Sequence, residues 1–241
     1  MKKPMKKVTL LLVLALILLV SFVVYNFYPV LIMNPVETGS VPDTNISAIK
    51  DNRNSVFFCQ TDDGYLMFDA GSSAKSIEAA LKDIGVSASE VKWVLLTHSD
   101  SDHVGALPLF PHAEVFMSED ELSMVDGTVN RNAFGKNRLP IDVGRLTLLR
   151  DGQELHLGGV EVECVKAAGH TNGSMVYVVD GKYLFAGDAF MVRDGKMGVH
   201  PFTMDAGGAE KMIEVLRDLV GDRGLDVFTA HYGYHKSAVF Q

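Results

Sequence analysis

The longest apolar run of the chain lies at its N-terminus. Residues 8–36 contain no charged residue, and residues 8–25 are almost unbroken Leu, Val, Ile and Phe. A helix of about 18 residues spans about 27 Å, close to the apolar thickness of a bilayer. Four lysines precede the run and favour a cytoplasmic N-terminus. The pattern predicts an uncleaved single-pass anchor in the cell membrane, with the rest of the chain outside the cytoplasm. The alternative is a signal peptide, after whose cleavage the protein would be secreted.

A turn-rich segment follows this run. Pro35, Gly39, Ser40 and Pro42 occur within a few residues, which is typical of a connection rather than of a helix or strand. We therefore predict three parts: the lysines and transmembrane helix at 1–31, a linker at 32–44, and one domain at 45–241, which is long enough to form a full core.

The predicted domain alternates short apolar runs with turn residues. Two stretches, 76–84 and 208–219, have the apolar spacing of helices. Runs typical of strands occur at 46–49, 55–59, 65–68, 91–96, 115–117, 146–149, 160–165, 175–179, 183–186 and 227–230. Many strands with few helices predict an α/β fold of layered sheets covered by helices. Segments 118–142 and 191–205 lack periodicity, which is typical of lids and binding loops.

Composition narrows the possible functions. The formal net charge is -8, although the N-terminal run is basic, so the predicted domain is strongly acidic. This balance argues against a nucleic-acid partner, because binding phosphates requires a basic surface. A hydrophobic content of 47% excludes a disordered chain, and two cysteines are too few for a disulfide scaffold.

Candidate chemistry follows the predicted buried strand at 91–96. His98, Asp100, Asp102 and His103 occur within six residues of one another. Like charges this close disfavour ionisation, and a bound cation removes the conflict. Histidine and aspartate are suitable ligands for zinc, iron and manganese. The alternative is a polar turn that caps the next helix, with Asp102 as the N-cap.

Three further predicted strands end on a candidate ligand close to glycine. These ligands are His170, Asp188 and His231. Glycine permits tight turns and a close backbone approach to a site. Together with the first cluster, the chain offers four histidines and three aspartates, enough for two ions that share a bridging carboxylate.

The order of these motifs resembles the metallo-β-lactamase superfamily. Its hallmark is H-x-H-x-D-H, followed by a histidine in a G-H-T context, an aspartate in a G-D context and a final histidine. The resemblance spans about residues 46–234. It implies the metallo-β-lactamase fold, a four-layer αββα sandwich with a dinuclear site where the two sheets meet. Asp69, in F-D-A-G, resembles an early family motif that supports the site without necessarily binding metal.

One position departs from the family pattern, because Asp100 stands where the second histidine is expected. By resemblance, the first ion would be held by His98, Asp100 and His170, the second by Asp102, His103 and His231, and both by a bridging Asp188. If Asp100 points away, the first ion keeps only His98, His170 and Asp188. Two divalent ions are expected, zinc first; iron or manganese is the alternative, because a carboxylate in this position also resembles diiron relatives.

The resemblance predicts a metal-dependent hydrolase. A metal-bridged hydroxide would attack an ester, thioester, lactone or phosphoester of a small-molecule substrate, and Asp102 would also orient this hydroxide. Two groups of side chains in the irregular segments are candidates for substrate contacts: Arg131, Lys136 and Arg138 in the first, and Arg193, Lys196 and His200 in the second. The alternatives are a diiron oxidoreductase-like enzyme, and a membrane-anchored binding protein with a degenerate metal site. The oligomeric state stays open.

Overall fold

The computed structural model describes residues 4–131 and 135–240. Its contacts divide the chain into two units with a boundary between Met33 and Asn34. The first unit contains one helix, α1 (Pro4–Leu31). The second contains all the sheets and all the predicted site residues.

The predicted transmembrane anchor lies in the N-terminal helix α1. Within the part of the chain that the structure describes, no helix has the length and apolar character needed to span a bilayer. The predicted transmembrane anchor is therefore not confirmed.

The first sheet of the second unit is mixed. Its strands follow the chain order in space, antiparallel from β1 to β4 and parallel from β4 to β7. They are β1 (Gly39–Ser40), β2 (Ile46–Asp51), β3 (Asn54–Thr61), β4 (Gly64–Phe68), β5 (Val91–Leu95), β6 (Glu114–Ser118) and β7 (Leu146–Leu149). Among the described residues, three α-helices lie between these strands: α2 (Ala74–Leu81), α3 (Ser101–Val104) and α4 (Leu122–Asp126).

The second sheet is also mixed. Its strands are β8 (Glu154–Leu157), β9 (Val160–Lys166), β10 (Met175–Val179), β11 (Tyr183–Gly187), β14 (Asp226–Thr229) and β15 (Gly233–His235). Their spatial order is β15-β14-β11-β10-β9-β8. Only the pair β11 and β14 is parallel, because helix α5 (Ala206–Arg223) forms the crossover between them. A separate hairpin, β12 (Met191–Arg193) and β13 (Lys196–Gly198), precedes α5.

Aromatic side chains from both sheets form the central core. Phe68 of β4 stacks on Phe185 of β11 with ring centroids 3.7 Å apart, and Phe185 stacks on Phe228 of β14 at 4.8 Å. A second cluster lies on the other face of the first sheet, where Ile77 and Leu81 of α2 are buried. Because both faces of the sheet are covered, the first six residues of β3 are all buried, which explains why its sequence is a continuous run rather than an alternating one.

The α/β fold with two layered mixed sheets is confirmed, and every predicted strand and both predicted helices are present within a few residues. The segment 32–44, predicted as a linker, contains one short strand. Within it, β1 pairs with β2 and Val41 is buried. Of the two irregular segments, the first contains α4 and the second contains the β12–β13 hairpin. These elements are too short to produce a periodic sequence signal.

Candidate metal centre

Four strands deliver the predicted site residues to one place. His98, Asp100, Asp102 and His103 lie in the loop after β5 and the start of α3. The other three follow the second-sheet strands: His170 after β9, Asp188 directly after β11 and His231 after β14. The alternative of a simple capped turn is not supported, since Asp100, not Asp102, precedes α3 and no side chain caps that helix.

Asp188 lies at the centre of this arrangement and is buried. Five imidazoles direct their Nε2 atoms toward its Oδ2 atom, from His231 at 3.3 Å, His170 at 3.5 Å, His103 at 3.6 Å, His200 at 3.7 Å and His98 at 3.9 Å. Burial would raise the pKa of Asp188, but the surrounding imidazoles lower it well below its ordinary value. Asp188 is therefore a carboxylate with an unusually high density of nitrogen donors around it.

The donors form three groups whose ligand atoms lie within 4.8 Å of one another. They are His98, His170 and Asp188; Asp102, His103 and His231; and Asp188, His200 and His231. We call the first the His98 group and the second the His103 group. Asp188 Oδ2 also lies close to the two histidines of the His103 group.

The residues fit a divalent cation by a test that is independent of the sequence motif. The Nε2 atoms of His98, His103 and His200, and Oδ1 of Asp188, are buried without a hydrogen-bond partner among the described residues. A buried polar atom left unpaired costs about 1–3 kcal/mol, so several around one carboxylate require an explanation. A cation bound to these nitrogen and oxygen donors provides one.

Asp69 holds the ring of His103 in the orientation required for metal binding. Its Oδ2 lies 2.8 Å from His103 Nδ1, so Nδ1–H donates to the carboxylate and Nε2 faces Asp188. Thr97 donates its hydroxyl to Asp69 and accepts from His98 Nδ1 at 3.0 Å. Burial lowers the pKa of His103, but the carboxylates of Asp69 and Asp188 raise it well above its ordinary value. The hydrogen bond between Asp69 and His103 thus agrees with the supporting role predicted for Asp69.

Backbone carbonyls orient two further imidazoles. His231 Nδ1 donates to the carbonyl of Arg53 at 2.5 Å, and His200 Nδ1 donates to the carbonyl of Pro201 at 2.7 Å. Both rings therefore present an Nε2 lone pair to Asp188. Burial lowers the pKa of His200 to about 3, which keeps this imidazole neutral and able to bind a metal.

Asp69→Asn is expected to weaken divalent-metal affinity by about 10- to 100-fold, the range found when a partner of a ligating histidine is removed. Asparagine tolerates the left-handed backbone of this position, where φ is 58°, but its amide group places a donor against His103 or Thr97. Zinc competition against a chelating dye measures the change. The exposed Asp63→Asn is the matched control, and equal affinities for the two variants would exclude the role of Asp69.

Asp100 lies beside the His98 group but is engaged by a cation of the chain. Arg131 donates from Nε to Oδ1 at 2.8 Å and from Nη2 to Oδ2 at 2.7 Å, and Asn137 also donates to Oδ1 at 2.8 Å. Oδ2 lies 3.5 Å from His98 Nε2 and 3.3 Å from His170 Nε2. Burial would raise the pKa of Asp100, but contacts with His170, His98 and Arg131 lower it well below the ordinary value.

The centre opens into a cavity of about 660 Å³. Its lining includes the three basic residues predicted in the first irregular segment, Arg131, Lys136 and Arg138, together with Asp102 and Phe202. The Asp102 side chain is 43% exposed, so this carboxylate faces both the metal-binding donors and the solvent.

The basic residues of the second segment lie elsewhere. Arg193 and Lys196 belong to the hairpin of β12 and β13, and neither lines the cavity that contains Asp102. His200, expected to contact substrate, is instead buried beside Asp188. A signal for this position exists in the sequence, because His200 closely follows a glycine at the end of a short strand, as His170 and Asp188 closely follow a strand and a glycine.

Glu121 was not identified from the sequence. It is fully buried at the end of a 3-10 turn. Its carboxylate accepts hydrogen bonds from Ser99 and Thr171, the residues directly after His98 and His170, and from the backbone of Gly173. It therefore joins the two loops that carry the His98 group.

Comparisons with known proteins agree with this geometry. The uncharacterized protein YobT of Bacillus subtilis is 32% identical over 132 residues, which cover 51% of this chain and 55% of YobT. A probable metallo-hydrolase of Mycobacterium tuberculosis is 25% identical over 221 residues, covering 73% of this chain and 69% of the relative. A hydroxyacylglutathione hydrolase of Xanthomonas euvesicatoria is 30% identical over 148 residues, covering 58% and 49%. The chain thus spans about half to two thirds of the length of these relatives.

Solved structures show the same fold. A metallo-beta-lactamase of Cronobacter sakazakii superposes with a TM-score of 0.62 at 21% identity, covering 85% of this chain and 81% of that protein. At the level of sequence, the model of the Metallo-beta-lactamase superfamily matches residues 49–231, a range that includes every predicted ligand. The chain therefore belongs to the metallo-beta-lactamase superfamily.

Proposed function

We propose that this protein is a metal-dependent hydrolase that cleaves an ester, thioester, lactone or phosphoester of a small molecule. The observation that carries the proposal is the convergence of five Nε2 atoms on the Asp188 carboxylate. Relatives described as a probable metallo-hydrolase and as a hydroxyacylglutathione hydrolase support the same reaction class.

The His98 group and the His103 group would each be able to hold one divalent ion, which gives at most the two ions expected from the sequence. Asp188 lies close enough to contribute to both groups. Zinc suits this mixture of imidazole and carboxylate, and iron or manganese can also use it. A bound ion supplies Lewis-acid polarisation of the target oxygen and lowers the pKa of a bound water.

Asp102 is the side chain we assign to proton handling. Its Oδ2 lies 3.5 Å from His231 Nε2 and 3.8 Å from His103 Nε2. Because this carboxylate also faces the open cavity, it can accept a hydrogen bond from an attacking water and orient it toward the substrate. Of the two other site carboxylates, Asp188 is buried and Asp100 is paired with Arg131.

The cavity favours an anionic substrate. Lys136 and Arg138 are exposed in its lining. Of the two acids in the lining, Asp100 is neutralised by Arg131, which leaves Asp102 against two cations. A carboxylate or phosphate on the substrate would therefore meet net positive charge at the cavity wall, and Phe202, which is 68% exposed, offers an apolar contact.

The test combines metal analysis with a substrate panel. Purified protein is expected to contain zinc and to hydrolyse at least one anionic ester, thioester, lactone or phosphoester. Asp102→Asn is expected to reduce kcat by about 10²- to 10⁴-fold, the contribution of a positioned acid or base, without unfolding the protein. Bound iron with a redox-active absorption band and no hydrolysis would instead favour the oxidoreductase alternative and refute the proposal.

A further inference from the structure

The Arg131 side chain makes five hydrogen bonds at the edge of the metal centre. Besides its three bonds to Asp100, Nη2 lies 3.1 Å from His170 Nε2 and Nη1 donates to the carbonyl of Phe202 at 3.0 Å. Only 10% of the Arg131 side chain is exposed. A forked, bidentate pair with a carboxylate is among the strongest charge-assisted contacts in proteins, so the guanidinium is held against the donors of the His98 group.

The contact with His170 excludes a metal ion at the same atom. Guanidinium stays protonated and can only donate, so the Nε2 lone pair of His170 accepts from Arg131. A zinc ion would need that same lone pair at about 2.0–2.1 Å. It would also lie next to a positive group that is fixed in place. Arg131 and a metal ion therefore compete for His170.

The hydrogen bonds around the His98 and His103 groups also favour metal binding at the His103 group. In the His103 group, His103 donates from Nδ1 to Asp69 and His231 donates from Nδ1 to a backbone carbonyl. The Nδ1 of His170 is buried without a partner among the described residues. Because ligating histidines are normally oriented through their other nitrogen, the His103 group is the better prepared of the two.

Charge also balances with one ion. Asp100, Asp102 and Asp188 are the three carboxylates that face the metal-binding nitrogens, and one guanidinium with one divalent ion neutralises them, while Asp69 is already engaged by His103 Nδ1. A second divalent ion beside Arg131 would leave an excess of positive charge in a buried site.

Resting on the proposed metal-dependent function, we propose that Arg131 occupies the first cation position, so that the protein binds one divalent ion tightly, at Asp102, His103 and His231 beside Asp188. A second ion reaches His98 and His170 only when Arg131 is displaced. The chain thereby replaces one ion of a two-ion site with its own guanidinium.

The experiment counts zinc rather than activity. Metal-free full-length protein is titrated with zinc alone in competition with a chelating dye, and bound zinc is confirmed by mass spectrometry. The wild-type protein is expected to bind one tight equivalent. Arg131→Met is expected to bind a second equivalent about 10- to 100-fold more tightly than wild type does, the range by which contacts to a ligating histidine change affinity. Arg138→Met, in the same segment and lining the same cavity, is the control and is expected to bind one tight equivalent of zinc, as the wild-type protein does.

Two results would overturn the inference. Two equally tight equivalents in the wild-type protein would show that Arg131 does not compete, while leaving the proposed hydrolase function intact. No zinc bound by a folded wild-type protein would remove both proposals. If circular dichroism shows that Arg131→Met does not fold, Arg131→Gln replaces it, since this variant also removes the positive charge beside His170, and the second equivalent should again tighten. With either variant, the number of zinc ions that the wild-type protein binds tightly decides whether Arg131 competes with a second ion.

Discussion

Asp188→Ala is expected to abolish hydrolysis and to weaken metal binding by at least about 100-fold, the upper range for losing a group that only supports a ligand. The loss should be larger than that of any other single carboxylate, because Asp188 Oδ2 lies within 3.9 Å of five imidazole nitrogens. Without it, both the His98 group and the His103 group lose their shared anionic donor. Turnover on the best panel substrate and zinc content after dialysis are the two measurements.

Two further variants distinguish the loss of the Asp188 charge from a general effect of substitution on folding. Asp188→Asn keeps the shape of the side chain and removes its charge, so it should lose metal nearly as fully as the alanine variant. Asp218→Ala, on the exposed face of α5, should retain wild-type zinc and turnover. Wild-type zinc content in folded Asp188→Ala would show that this carboxylate is not a ligand.

The positions of the candidate ligands were largely readable from the sequence because they follow strands. A continuous apolar run predicts a buried strand, and parallel or neighbouring strands bring their ends to one edge of a sheet. His98, Asp188 and His231 each lie within a few residues of such an end. These strand ends, together with the resemblance of the motif order to the metallo-β-lactamase superfamily, were enough to predict one site from residues more than 100 positions apart.

The partners of these ligands were not readable, because they depend on loops that have no periodic pattern. Arg131 was expected to attract substrate, but it pairs with Asp100 across 31 positions of sequence. His200 was placed in a binding loop, but lies buried among the imidazoles. Both residues sit in segments whose conformation is set by tertiary contacts rather than by local propensity, so neither contact can be derived from the order of residues alone.

Glu121 is the clearest case of a residue that the sequence conceals. It ends a run of three acids, Glu119, Asp120 and Glu121, a pattern typical of a solvated turn. Two of the three do contact surface cations, Arg150 and Lys166. The third turns inward and meets loops 22 and 50 positions away.

Glu121→Ala is expected to lower the free energy of unfolding of the metal-free protein by about 3–5 kcal/mol, because each buried donor left without its acceptor costs about 1–3 kcal/mol, and Tm by about 10 °C. Oε1 accepts from the N–H of Ser99 at 2.8 Å and from its hydroxyl at 2.6 Å. Oε2 accepts from the Thr171 hydroxyl at 2.7 Å and the Gly173 N–H at 3.0 Å. All four donors would lose their acceptor at once.

Neighbouring backbone cannot move in to replace the lost carboxylate. A Cβ at Gly173 would lie 2.1 Å from the Glu121 nitrogen, so the two chain segments are already in close contact. Glu121→Gln fills the same volume and should cost less than alanine, but its amide donor would oppose the Gly173 N–H.

Glu119→Ala, two positions earlier and partly exposed, is the matched control and should change stability by no more than about 1 kcal/mol, as expected for a surface pair. Chemical denaturation of the three variants gives this order, and equal stability of the Glu121 and Glu119 alanine variants would contradict it. Because Ser99 and Thr171 adjoin His98 and His170, whereas Asp69 independently holds His103, the alanine variant should disturb the His98 group while the His103 group keeps its zinc.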